Sequence, residues 1–330
     1  MGDRLTDAEI ETPARSGILV GACGFSYDEW EGFVFPPGLP KTERLTRYAE
    51  HFRLVELDST YYGTPRADRV ARWADQTPEE FVFTAKVPKQ VTQQARLQGP
   101  LALGELERFL TTMRLLGPRL GPLVFQMSPG FRYPRDFKAL HTALEALPSL
   151  GGDGLRFAIE FRHPSWLERD EPAGLLRSHR VAWVWNDWLP TEAYLAPMPR
   201  AIDDPRAQPV TADDFAYVRL IGNHAECIDY RSITVDRLDD LVRWAELALE
   251  FRRGREARGV YILLNNHYSG SSPATIRELE RRLGLDVEPF GSPDLGHDLA
   301  SSINAAHPGD AVGPAHQAPL PSGQARLPGF

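Results

Sequence analysis

Eight times along the 330-residue sequence a short apolar run of β-type residues ends in polar or charged ones, and a helix-like stretch usually follows. The runs are Ile18–Ala22, Leu54–Leu57, Phe81–Ala85, Leu123–Phe125, Phe157–Ile159, Val181–Trp185, Tyr217–Ile221 and Val260–Leu264. Strand–helix alternation at this count is the pattern of an α/β protein built as a single TIM-type (β/α)8 barrel. In such a barrel the active site is assembled from whatever follows each strand.

Helical spacing of apolar residues marks Thr42–Phe52, Leu103–Leu116, Asp136–Leu147, Val235–Phe251 and Ser272–Leu283. Ser272-Pro273 and Thr64-Pro65 read as helix starts, with a capping hydroxyl before Pro. Leu116-Gly117 and Leu283-Gly284 read as helix ends. Leu189–Asp214, rich in Pro, Asp and Ala, replaces a clean helix between the sixth and seventh runs and reads as a lid, a binding loop or a solvated insertion. Residues 1–16 read as a flexible N-terminal arm, 17–290 as the barrel, and 291–330, dominated by Gly, Pro, Ala, Ser and His, as a disordered tail.

Apolar content of 42% and charged content of 25% are ordinary for a globular protein, and a net charge of −8 argues against a broadly basic, nucleic-acid-coating surface. Cys23 and Cys227 cannot make a disulfide framework, no charged-plus-apolar leader opens the sequence, and no apolar run nears the ~20 residues of a membrane span. A cytoplasmic protein with no membrane partner is the expectation.

Several phrases belong together: Gly21-Ala-Cys-Gly-Phe-Ser-Tyr, Val55-Glu-Leu-Asp-Ser-Thr-Tyr-Tyr, Phe81-Val-Phe-Thr-Ala-Lys, Leu123-Val-Phe-Gln-Met-Ser-Pro, Ala158-Ile-Glu-Phe-Arg-His-Pro-Ser-Trp, Tyr217-Val-Arg-Leu-Ile-Gly and Tyr261-Ile-Leu-Leu-Asn-Asn. In this order, from about residue 17 to about 283, they resemble the domain-of-unknown-function 72, or YecE-like, family. The resemblance implies a barrel and supplies no reaction. The family's phrase at the seventh run is Arg-Leu-His-Gly; here Ile221 stands in the place of the His, with His224 close by.

Side chains alternate along a strand, so Glu56 and Asp58 share one face, as do Glu160 and Arg162. Turned toward surrounding helices, such charges would be buried at a cost of several kcal/mol, so they are expected to face the barrel mouth. Glu56, Asp58, Glu160 and Asp187 are the candidate catalytic acids and bases. Lys86, Arg162 and Arg219 can hold a phosphate or carboxylate, the arginines bidentately. Gln126, His163, Asn265, Asn266 and the aromatic residues Tyr27, Trp30 and Trp166 complete the candidate binding set. Glu56, Asp58, Glu160, Asp187 and Arg219 are expected to converge at one barrel end.

A divalent metal is a candidate cofactor, since four carboxylates would suit magnesium or manganese, although three cations in the same mouth weigh against it. The expected ligand is small, anionic and hydroxylated, sugar- or nucleotide-like. Two alternatives are a nuclease or damage-binding barrel and a non-catalytic binding module. The first rests on Gln324, Leu327 and Phe330, whose spacing resembles peptides that dock on a DNA sliding clamp. If Glu160 is catalytic, Glu160→Gln should impair function far more than stability. If it is half of a structural ion pair, the change strands a buried cation and costs ~3–5 kcal/mol.

Overall fold

A computed structural model describes residues 17–188, 198–253, 259–285, 287 and 290. The first 16 residues, 189–197 of the irregular connection, and the segment holding Gln324, Leu327 and Phe330 lie outside the described residues. The chain divides into two units, Met1–Phe290 and Gly291–Phe330, and the fold below is that of the first.

Its strands are β1 (Gly17–Cys23), β2 (Leu54–Leu57), β3 (Val82–Lys86), β4 (Leu120–Gln126), β5 (Phe157–Glu160), β6 (Ala182–Trp183), β7 (Trp185–Trp188), β8 (Phe215–Gly222) and β9 (Gly259–Leu264). All pair in parallel, in the order β6-β5-β4-β3-β2-β1-β9-β8-β7. The two ends of that order, β6 and β7, are neighbours in sequence, separated only by Val184. The sixth apolar run is thus one strand that changes partner, pairing β5 with its first half and β8 with its second. The sheet comes round on itself as the eight-fold barrel expected from the alternation. Where β6 has no β8 partner, the Thr211 hydroxyl covers the edge, accepting from Trp183 N and donating to Val181 O, both at 2.7 Å.

Seven α-helices stand among the described residues: α1 (Arg44–Ala49), α2 (Ala67–Asp75), α3 (Pro100–Met113), α4 (Phe137–Ala146), α5 (Glu171–Ser178), α6 (Leu238–Arg252) and α7 (Ser272–Arg282). Five coincide with the periodic stretches of the sequence; α2 and α5 lie outside them. The Thr64-Pro65 start is corrected, because α2 begins at Ala67 and the Thr64 hydroxyl donates to Glu105 instead, at 2.7 Å. Gly284, just past α7, takes the left-handed φ of 69° that lets a helix stop there.

Period-two alternation splits the apolar residues into two cores. Ile18, Val20, Val55, Phe83, Phe125, Ile159, Val218 and Ile262 face the helical shell, while Leu19, Leu54, Val82, Val124, Ala158, Ala182, Phe215, Tyr261 and Leu263 fill the barrel. Charged and amide side chains take the inward positions at the C-terminal strand ends, where Glu56, Lys86, Gln126, Glu160, Asn186 and Arg219 are all buried. One layer below, the inward Tyr217 hydroxyl is hydrogen-bonded to Thr84 at 2.8 Å. The change to charged and amide side chains at the ends of β2, β3, β4, β5, β7 and β8 places the candidate site.

Candidate functional site

Six charges of alternating sign form one chain across the mouth. Asp58 meets Lys86, and Lys86 Nζ lies 3.3 Å from Glu56 Oε1. Arg219 Nη2 donates to the same Glu56 oxygen at 2.8 Å, and its Nη1 holds Glu160. The last link is Arg162 Nε to Glu160 Oε1 at 2.6 Å. Glu56, Arg219 and Glu160 at the centre are at most 1% exposed; the outer members Lys86, Arg162 and Asp58 reach 11%, 16% and 33%. Gln126 Oε1 accepts from Arg219 at 3.2 Å, and the Tyr217 hydroxyl donates to Glu56 at 2.9 Å from the layer below.

The electrostatics follow from this order. Burial alone would raise both glutamates, but Arg162 and Arg219 outweigh it and hold Glu160 down at about 2. Against the same burial, Arg219 and Lys86 lower Glu56. Burial would lower Lys86, yet Asp58 and Glu56 hold it above its ordinary value. All four groups are therefore ionised at neutral pH once Arg219 is included, whose proton burial cannot remove against two carboxylates. Burial, then Glu56, pushes the Cys23 thiol up, which makes it a poor nucleophile.

Around the outer charges stands a polar and aromatic rim. The Arg162 guanidinium lies over the Trp188 ring, 5.1 Å from its centre. Tyr27 donates to Cys23 O at 2.7 Å, and Tyr230 packs edge-on against it at 5.9 Å. The rings of His224 and His267 are 3.9 Å apart. Gly222 makes that approach possible: its φ is +71°, and a Cβ there would come within 2.3 Å of His267 O. Burial, then His267, Arg162 and Lys86, lowers the His224 pKa to about 4, so its imidazole is neutral at pH 7.

Asp187 does not join this set. Alternation turns it outward from β7 to the shell, where it is fully buried against α6. Arg200 clamps it at 2.6 and 3.0 Å, the Trp244 indole donates at 2.8 Å and the Tyr268 hydroxyl at 3.2 Å. The expected catalytic acid is thus a buried structural anion, and the inward residue of the pair is Asn186. Asp187→Asn should cost about 1–3 kcal/mol in chemical denaturation, because Arg200 loses its charged partner. Ligand binding at the mouth should be unchanged; lost binding with full stability would restore a site role.

Other candidates also serve packing. Trp30 is fully buried beside Tyr48 and donates to Asn266 at 3.3 Å; Trp166 is stacked between Phe131 and Phe161 and donates to Phe131 O at 2.8 Å. Neither offers a surface to a ligand. The Asn266 carbonyl oxygen accepts from Trp30 and Ser272, Asn265 caps the turn after β9 by accepting from His267 N at 3.0 Å, and His163 Nδ1 caps the turn at Ser165. Trp188, Asn186, Tyr230, His224 and His267 gather at the mouth without a motif that singles them out. Among the described residues no three His, Cys, Asp or Glu side chains gather as a metal would require, and each mouth carboxylate faces a cation instead.

Residues 19–297 match the family model described as protein of unknown function DUF72. The chain belongs to this family. Among DUF72 relatives, the UPF0759 protein YecE of Escherichia coli K12 is 35% identical over 154 residues, 47% of this chain and 52% of that protein. The UPF0759 protein YunF of Bacillus subtilis is 29% identical over 153 residues, 45% of this chain and 52% of that one. The matches thus span about half the length of these curated relatives. A solved DUF72 family protein from Thermotoga maritima is 26% identical, with a TM-score of 0.63 over 81% of this chain and 99% of that one. One from Enterococcus faecalis, at 23% identity and a TM-score of 0.62, covers 82% and 99% and shares the fold. No helix among the described residues is long and apolar enough to cross a membrane.

Proposed function

We propose that this DUF72 barrel is an enzyme that takes a small anionic, hydroxylated ligand, sugar- or nucleotide-like, at its C-terminal mouth. The observation that carries the reading is the alternating charge chain with its centre buried and its ends open. A chain that only filled the barrel top would need no solvent-facing members. Here Arg162 spends one N–H on Glu160 and rests on Trp188, leaving its terminal nitrogens without a partner among the described residues. A guanidinium held in this way is preorganised for a phosphate or carboxylate.

The acid/base assignment narrows accordingly. Glu160 at about 2 and Glu56 lowered by Arg219 carry no proton to give at neutral pH, so they set the field and position the arginines. Asp58, at the open end, is the carboxylate a substrate can reach, and neutral His224 is a second proton acceptor. Hydroxyls of the ligand would meet Asp58 and Tyr27, and the anion Arg162 and Lys86.

The test is a calorimetric screen of sugar phosphates and hydroxy acids. Saturable binding that weakens with salt is expected. Arg162→Gln should abolish it while costing at most about 1–2 kcal/mol in stability, since Glu160 keeps Arg219. Undiminished binding by that variant, or no binding across the panel by the unaltered protein, would overturn the reading.

A further inference from the structure

Alternation puts Asn186 where Asp187 was expected. It sits on the inward face of the sixth strand between Val184 and Trp188, and its register partner on β8 is Arg219. Asn186 is 8% exposed, and its side-chain carbonyl oxygen is buried with no hydrogen-bond donor among the described residues. A buried acceptor left unpaired loses its hydration for nothing. Among the described residues the Gln90 side-chain carbonyl and the Ser271 hydroxyl are in the same state, but Asn186 alone of the three lies on the inward face among the mouth charges. Arg219, its register neighbour, has a buried Nε that is likewise without a partner, but it makes no hydrogen bond to this oxygen. Arg219 gives its terminal nitrogens to Glu56, Glu160 and Gln126, and the Arg162 guanidinium lies above, over Trp188. Trp188 is two residues on, about 7 Å along the strand on the same face.

We propose that Asn186 is a specificity-determining residue of the mouth: its carbonyl oxygen accepts a hydrogen bond from a ligand hydroxyl while the ligand's anionic group sits on Arg162. The inference rests on the anion-binding reading above and adds what the second half of the ligand must be. An acceptor already stripped of water discriminates strongly, because a ligand lacking the hydroxyl leaves it unpaired. It also explains the amide: a carboxylate at 186 would add a buried negative charge next to Arg219, which already faces Glu56 and Glu160, and would repel an anionic ligand, whereas an amide reads a hydroxyl without changing the charge.

Glycerol 3-phosphate and n-propyl phosphate are the probes, equal in charge and differing in their hydroxyls. The unaltered protein should bind the first at least about tenfold more tightly, and Asn186→Leu, similar in shape, should level the two by weakening glycerol 3-phosphate alone. A preference that survives Asn186→Leu would overturn the inference. If neither probe binds, the Arg162 reading fails separately, and the Asn186 inference is judged on the ligand-free protein. There Asn186→Leu should melt at or above the unaltered protein, because it removes an unpaired acceptor. A clear drop in melting temperature would mean that the carbonyl is satisfied within the fold, and would overturn it.

Discussion

Arg219→Met should lower the unfolding free energy by about 3–5 kcal/mol, the largest effect expected of any single change at the mouth. Arg219 is 1% exposed and is the only member of the charge chain bonded to both central carboxylates, Glu56 and Glu160. Removing it leaves two buried anions facing one another, with only the outer cations Lys86 and Arg162 to answer them. The desolvation already incurred by the carboxylates is not returned when the cation goes. Two further measurements identify the cause. The loss should shrink as the pH is lowered and the stranded carboxylates take up protons. Adding Glu56→Gln and Glu160→Gln to Arg219→Met should recover part of the stability, because no anion is then left uncompensated, and the three changes should be far from additive. A single variant as stable as the unaltered protein in urea at pH 7 would mean that the chain contributes nothing to the fold.

Glu160→Gln should cost about 3 kcal/mol at neutral pH, and the cost should vanish in acid. The folded protein holds Glu160 at about 2 against an ordinary 4.5, chiefly because Arg162 and Arg219 outweigh its burial. A carboxylate with a depressed folded pKa contributes stability that is complete above its unfolded pKa and is lost as the pH falls through the folded one. The gap between 4.5 and about 2 corresponds to about 3 kcal/mol, released between those two pH values. The unaltered protein should therefore lose stability steeply across that window, and Glu160→Gln less steeply, so that the two curves converge near pH 2. Glu56, also lowered, contributes to the slope that remains. Parallel curves would show that Glu160 is not the titrating group. Since Glu160 also positions Arg162, the variant should weaken ligand binding as well as stability. The expectation of function lost with stability spared does not suit a residue buried between two guanidinium groups.

Much of the barrel could be read from the sequence because strand and helix periods are local. The apolar runs, the switch from period two to helical spacing, and the glycine after α7 each depend on residues close in sequence. The break at Val184 could not be read, because it depends on which neighbour each half of the strand meets across the barrel. Glu56 and Asp58 do share Lys86, and Glu160 does meet Arg162, but strand alternation is not the reason, since Asp58 opens a 3-10 turn and Arg162 lies past the end of β5. Carried through the sixth run, alternation would have turned Asp187 outward, since Ala182, Val184, Asn186 and Trp188 take the inward face. That correction was within reach of the sequence. The burial of Trp30 and Trp166 was not, because an aromatic residue after a strand suits packing under a loop as well as stacking on a ligand.

By itself the sequence determined that eight strands would bring a particular set of acids, bases and amides to one end of a barrel, because charged or amide residues stand at the C-terminal end of most inward-facing rows. Only the tertiary structure decided how those groups are partnered. It threaded Asp58, Lys86, Glu56, Arg219, Glu160 and Arg162 into one alternating chain, withdrew Asp187 to Arg200, and left the Asn186 carbonyl unanswered. The reason is physical: the direction of a side chain follows from the backbone at its own position, whereas the charge it meets is set by strand register and barrel closure, which join residues such as Arg219 and Glu56 that lie far apart in sequence.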